Sequence, residues 1–126
     1  MVPVRVVVAD DSAIYRTALC NFLKTVPDIE VSAAAQDGVE ALNLIQQLQP
    51  DALILDIEMP KMNGWEVLQR LRTIASPVQV LMLSSHAETY FQKLALERGA
   101  SAYVNKGNVE EVIDIIDELV TDSKRM

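Results

Sequence analysis

An α/β fold built on a five-stranded parallel sheet is predicted by three features of the sequence. Short runs rich in Val, Ile, Leu and Ala alternate with longer segments whose apolar residues recur with helical spacing. Pro, Gly, Asn or Asp stands at nearly every junction between the two kinds of segment. No long insertion separates one unit from the next, so each strand must be followed by its own crossover helix.

The elements follow in order. VRVVVAD (4–10) has apolar residues on both faces and reads as a fully buried strand. Ser12 can cap a helix whose predicted inner face is Ile14, Ala18, Leu19, Phe22, Leu23 and Val26, and Pro27-Asp28 stops it. IEVSAAA (29–35) alternates apolar with small polar positions, as an edge strand does. Asp37-Gly38 leads into a helix with Ala41, Leu42, Ile45 and Leu48 inward, closed by Pro50. ALILD (52–56) is the third strand, Trp65 to about Thr73 the third helix, and VQVLML (78–83) the fourth strand. Ala87 to Arg98 forms the fourth helix, ended by Gly99, and SAYVN (101–105) is a short fifth strand. Asn108 caps a last helix that uses Val109, Val112, Ile113, Ile116 and Val120, and the polar tail TDSKRM (121–126) is expected to fray.

Because crossovers are right-handed and helices must cover both faces of a parallel sheet, few topologies remain. The best fit is a flavodoxin-like (βα)5 doubly wound sheet of strand order 2-1-3-4-5 with helices on both faces. Ligands then collect outside the carboxyl ends of strands 1 and 3, where the winding reverses. At 126 residues and 50% hydrophobic, the chain suits a single domain spanning 1–126, with its core at about 4–120. The net charge of −7 and the scattered basic residues argue against nucleic acid, which needs clustered Lys and Arg. No apolar run approaches the roughly 18 residues of a membrane span, and the N-terminus lacks a signal peptide's order. The lone Cys20, among Ala18, Leu19, Phe22 and Leu23, reads as a small buried hydrophobe in a reduced, cytoplasmic protein.

The chemistry lies in LILDIEMPKMNGWEVL (53–68), an apolar run that ends on Asp56, adds Glu58, and regains helical spacing only after Gly64. Strand 1 ends on a second acidic pair, Asp10-Asp11. In the predicted topology Asp10, Asp11 and Asp56 converge, and at an effective dielectric near 20 two charges about 5 Å apart repel by roughly 3 kcal/mol. Such a cluster must hold protons or bind a hard cation. One or two direct carboxylates, with water and a phosphate oxygen completing the shell, describe Mg²⁺ better than Zn²⁺ or a Ca²⁺ cage. Ser84 follows strand 4 and Lys106 follows strand 5, at the same edge. A transferring phosphoryl group spreads charge over three oxygens, which a metal, an ammonium and a hydroxyl can divide among them, leaving Asp56 as nucleophile. Singly, each of these is an ordinary surface residue; only their joint placement carries weight.

From Val4 to about Val120 the chain resembles the receiver domains of two-component response regulators, through Asp10-Asp11 in VVVADDS, DIEMPKMNG from Asp56 to Gly64, Ser84 in LMLSS and Lys106 in GASAYVNKG. DIEMP is similar to receivers of chemotaxis methylesterases, and the proline-free GASAYVNKG to receivers joined to helix-turn-helix domains, so both a single-domain regulator and an excised receiver stay open. The resemblance implies a phosphorylation-activated switch rather than an enzyme with a separate substrate. Asp56 would accept a phosphoryl group from the phosphohistidine of a sensor histidine kinase, or from a phosphotransfer protein. Asp10, Asp11, Asp56 and the backbone carbonyl of Glu58 would position Mg²⁺ directly or through water. Lys106 would bind the phosphoryl group, Ser84 would donate its hydroxyl to it, and Tyr103 would report the switch through its rotamer. Glu58 and His86 would flank the water path and tune the acyl phosphate lifetime.

The output surface, controlling an output domain or protein partner, is expected at helix 4, strand 5 and helix 5. There Val112, Ile115 and Leu119 form an i, i+3, i+7 row that a partner or a second copy, making a homodimer, could cover. Many family members have proline after the lysine, whereas Gly107 stands here, so the Lys106–Gly107 bond is expected trans, with glycine's backbone freedom making the turn.

Rival readings fit less well. A phosphatase of the haloacid dehalogenase type resembles a chain with its nucleophile on the first strand. A flavodoxin-like carrier needs a Ser/Thr and Gly phosphate loop where VADDSA places two negative charges. A receiver-like interaction module acting without phosphorylation would lose acids, Ser or Lys, and all are present.

Overall fold

The computed structural model describes residues 2–85 and 89–124, with side chains described as far as Glu118. Its elements alternate without exception: β1 (Val4–Ala9), α1 (Ala13–Lys24), β2 (Ile29–Ala35), α2 (Gly38–Leu48), β3 (Ala52–Asp56), α3 (Gly64–Thr73), β4 (Gln79–Ser84), α4 (Thr89–Glu97), β5 (Ala102–Asn105) and α5 (Val109–Lys124). All pairings are parallel and the sheet order is β2-β1-β3-β4-β5, as the sequence predicts.

Strand alternation divides the core into two layers. Val7, Leu53, Leu55, Val80 and Met82 face one way, against Ala41 and Ile45 of α2, Val67, Leu68 and Leu71 of α3, and Ala95 of α4. Val6, Val8, Ile54, Leu81, Leu83 and Val104 face the other way, against Leu19, Cys20 and Leu23 of α1 and Val112 and Ile116 of α5. The edge strand β2 skips Ser32 in its register with β1, a bulge between Val6 and Val7.

Three helix starts are capped by the side chains their sequence offers. Ser12 accepts from Tyr15 N, Asp37 from Glu40 N, and Asn63 forms a reciprocal capping box with Glu66. The box places the start of α3 at Gly64, one residue before the predicted start.

Several expectations are corrected. Ile14 is 86% exposed and Ala18 is exposed, so neither lies on the inner face of α1. The buried stripe is Leu19, Cys20 and Leu23 with Tyr15 and Val26 beside it, on the opposite side of the helix from Ile14. α5 extends to Lys124, so residues 121–124 of the polar tail are helical. Ile115 is half-buried and packs against the α1/α5 layer, while Leu119 lies beyond the described side chains. Peptide bonds are trans throughout the described residues, including Lys106–Gly107. Gly107 does not turn the chain through a positive φ; instead the Asn105 side chain accepts from Gly107 N at 2.8 Å and the Asn105 carbonyl from Asn108 N at 2.9 Å. No described helix is long and apolar enough to cross a membrane.

Candidate functional site

The carboxyl ends of β1, β3, β4 and β5 deliver the site. β1 ends at Ala9, and the next residue, Asp10, is buried at 1% exposure. Its Oδ1 accepts from Ser12 N at 2.8 Å, its amide donates to Ala35 O at 3.0 Å, and its carbonyl accepts from the Arg16 guanidinium at 2.7 Å. Asp11 is exposed, and Asp56, the last residue of β3, is 5% exposed. One ligand oxygen from each of Asp10, Asp11 and Asp56 lies within 4.8 Å of the others. Ser84, the last residue of β4, is buried at the same edge.

Lys106 arrives from β5. Its amide donates to Ser84 O at 2.8 Å, carrying the strand pairing one residue into the loop. Its ammonium lies 2.8 Å from Asp10 Oδ2 and 3.3 Å from Asp56 Oδ1. Ser84 and Lys106, far apart in sequence from the acids, are thus gathered with them. Glu58 is exposed in the β3–α3 loop and lines an open cleft of about 570 Å³ with Asp11, Met59, Pro60, Trp65 and Phe91. Tyr103 is half-buried against the α2/α3/α4 layer. His86 lies outside the described residues.

Two glycines let the loops close on this edge. A Cβ on Gly64 would meet the Asp56 carbonyl oxygen at 2.5 Å, and one on Gly38 would collide with the Met62 carbonyl oxygen. Lys61, at φ +67° in the same loop, pairs with the capping carboxylate of Asp37 at 3.6 Å. The Glu40 amide bonded to that carboxylate is the main reason Asp37 is held below the usual range.

Electrostatics follow from burial and crowding. Burial and then the neighbouring Asp10 carboxylate push Asp56 up to about 6, with Lys106 opposing. Burial works against the Lys106 charge, but the Asp10 and Asp56 carboxylates outweigh it and hold the ammonium above its ordinary range. The Asp10 Oδ2 atom is buried and, beyond the ionic contact with Lys106, receives no aligned hydrogen bond. Hard oxygen donors gathered within 4.8 Å of one another, with the buried Asp10 Oδ2 lacking an aligned hydrogen bond, fit in their chemistry a divalent oxygen-seeking cation such as Mg²⁺.

Residues 6–117 match the family model described as the response regulator receiver domain. The chain belongs to the receiver domain family of two-component signalling. Among curated relatives it is 41% identical to a protein-glutamate methylesterase/protein-glutamine glutaminase of Geobacter sulfurreducens over 92% of this chain and 32% of that protein. A second such protein, from Vibrio vulnificus, is 38% identical over 97% of this chain and 36% of its own length. This receiver therefore spans about a third of the curated relatives it matches. Among solved structures, the receiver domain of the putative response regulator NarL from Mycobacterium tuberculosis is 34% identical with TM-score 0.85, covering 93% of this chain and 98% of that one. The response regulator domain of Thermotoga maritima CheB is 31% identical with TM-score 0.87, covering 94% and 97%. A receiver is a phosphoacceptor, and receivers interact with histidine kinases or phosphotransfer proteins and with output domains.

Sequence reasoning missed Tyr15 and Arg16. Arg16 binds the Asp10 carbonyl, and the Tyr15 ring lies 4.6 Å from the Lys106 ammonium. Arg16 could have been suspected from its place in the first turn after the acidic pair, whereas Tyr15 reads as core.

Proposed function

We propose that this receiver is a switch that takes a phosphoryl group onto Asp56 from the phosphohistidine of a sensor histidine kinase or phosphotransfer protein, as one domain over residues 1–126 in the cytoplasm. The observation that carries the reading is the Lys106 ammonium between the Asp10 and Asp56 carboxylates, 2.8 and 3.3 Å away, at an edge where three acids converge. An Asp56 oxygen attacks phosphorus as the bond to the donor imidazole nitrogen breaks. The Lys106 ammonium then pairs with one phosphoryl oxygen and the Ser84 hydroxyl donates to another. Asp10, Asp11, Asp56 and the Glu58 carbonyl would hold Mg²⁺, which when bound supplies charge neutralisation among the acids and the phosphoryl oxygens. The chain modifies itself and turns over no separate substrate. Movement of Ser84 toward the phosphoryl group and rotation of Tyr103 would pass the change to α4, β5 and α5. Incubation with acetyl phosphate, with and without Mg²⁺, tests this: the intact mass rises by one phosphoryl group only with the metal, and an unchanged mass in both refutes it. The rival reading, an interaction module that acts without phosphorylation, predicts that unchanged mass.

Glu58 and His86 are proposed to tune the lifetime of the acyl phosphate, because the Glu58 loop borders the open cleft through which water must arrive. Glu58→Asn and His86→Ala should each change the decay rate several-fold; identical decay curves for both variants and the wild type would remove the claim.

The output face is proposed at α4, β5 and α5, where Tyr90 is 68% and Leu96 48% exposed on α4. If a second copy covers it, sedimentation with beryllofluoride shows a dimer that Leu96→Glu weakens. Monomers under every condition would count against self-association.

A further inference from the structure

Tyr15 belongs to no motif considered so far, yet it touches Lys106 at both ends. Its hydroxyl donates to the Lys106 backbone carbonyl at 3.3 Å, across a sequence separation of 91 residues. Its ring centroid lies 4.6 Å from the Lys106 ammonium, within cation–π range. The Tyr15 side chain is half-buried and packs against the α1/α5 layer. The same ammonium lies 2.8 Å from Asp10 Oδ2 and 3.3 Å from Asp56 Oδ1.

The loop makes such a clamp useful. Lys106 is followed by Gly107, whose backbone is the least restricted of any residue, and apart from the Tyr15 bond the described hydrogen bonds of Lys106 and Gly107 run to Ser84 and Asn105. The Asp10 and Asp56 carboxylates hold the ammonium, but the lysine's four-carbon stem has large rotamer freedom that contacts at the backbone and at the ring narrow further. The Tyr15 hydroxyl anchors the Lys106 main chain, and the ring adds a contact to its ammonium beyond those of the carboxylates.

We propose that Tyr15 is a positioning residue that clamps Lys106 for contact with the phosphoryl group, joining α1 to the β5–α5 loop. The proposal rests on the reading of Lys106 as the phosphoryl ligand. Tyr15 does not touch the three acids' shared point, so its loss should spare metal binding while weakening phosphoryl binding. Leucine at this position preserves the apolar packing and removes ring and hydroxyl together; phenylalanine removes only the hydroxyl.

The test has two parts. In the NMR spectrum of lysine-labelled protein, the Lys106 ε-methylene signal lies upfield in the wild type through the tyrosine ring current. It stays upfield in Tyr15→Phe and returns to the ordinary lysine position in Tyr15→Leu. In parallel, Mg²⁺ and then beryllofluoride at saturating Mg²⁺ are titrated against the fluorescence of Trp65, the single tryptophan, which shares its cleft with Asp11. Tyr15→Leu should bind beryllofluoride about five- to tenfold more weakly while Mg²⁺ affinity stays within about twofold, with Tyr15→Phe between it and the wild type. In a Lys106→Ala background the same substitution should change nothing further, because its effect passes through the lysine. An unshifted methylene in the wild type overturns the clamp. So does wild-type beryllofluoride affinity in Tyr15→Leu, a parallel loss of Mg²⁺ and beryllofluoride, or an undiminished effect in the Lys106→Ala background. A wild type with the upfield signal that binds no beryllofluoride refutes the phosphoacceptor reading, and with it the purpose assigned to the clamp.

Discussion

Asp56→Asn will accept no phosphoryl group and will nevertheless be harder to unfold than the wild type at pH 8. Burial and the Asp10 carboxylate raise Asp56 from its ordinary 3.8 to about 6 in the folded chain. Between those values the unfolded chain has lost the proton while the folded chain keeps it. Stability therefore falls as pH rises through this window, and the full penalty persists above it. Asparagine carries no such charge. With screening by solvent at the open mouth of the site, the gain should be about 1 to 2 kcal/mol at pH 8 and should vanish near pH 4. Thermal unfolding at both pH values in chelator measures it, and a variant less stable than the wild type at pH 8 would mean the carboxylate is well accommodated without a metal. Saturating Mg²⁺ should narrow the gap by stabilising the wild type, since it binds the folded chain and loses one of its ligands in the variant.

Gly64→Ala will destabilise the fold and impair the site together. An added Cβ would lie 2.5 Å from the Asp56 carbonyl oxygen and 2.8 Å from the Ile57 Cα, both backbone atoms of the segment that ends β3. The start of α3 is held there by the Gly64 amide donating to Ile57 O at 2.7 Å, so the helix cannot simply lift away. The expected loss is about 3 kcal/mol, or roughly 10 °C in melting temperature, with slower phosphorylation as Asp56 shifts. Gly107→Ala is the comparison, because its Cβ would meet only the Asn105 side-chain oxygen, at 3.1 Å. Equal melting temperatures for the two variants would show that the β3–α3 junction yields more readily than its contacts imply.

The sheet was legible because the patterns of β1, β3 and β4 have only one solution: strands apolar on both faces must lie between two helical layers. Once the strand order was set, the placement of Asp10, Asp56, Ser84 and Lys106 at one edge followed from their positions at strand ends. The inner face of α1 was harder to read. Ile14, Ala18 and Phe22 make one plausible apolar row and Tyr15, Leu19 and Leu23 another, and helical spacing alone cannot rank them. Docking on β1 and β2 chooses the second, leaving Ile14 at 86% exposure. At the turn after β5 the expected trans Lys106–Gly107 bond is found, but the part played by Asn105 was not legible. Gly107 suggested backbone freedom, but the Asn105 side chain makes the turn and the glycine supplies room. Tyr15 was invisible as a site residue, since a tyrosine in an apolar helix reads as core, and its link to Lys106 exists only after 91 residues have folded.

The central claim, that Asp56 is the acceptor in a metal-assisted acid cluster, is most directly tested by locating the modification. Reduction of the phosphorylated chain with borohydride converts an aspartyl phosphate to homoserine, and peptide mass spectrometry then finds the altered position. Homoserine at position 56 alone, formed only when Mg²⁺ was present during phosphorylation, is the predicted result. Homoserine at position 10 or 11, or a phosphoryl group that resists reduction, would contradict it.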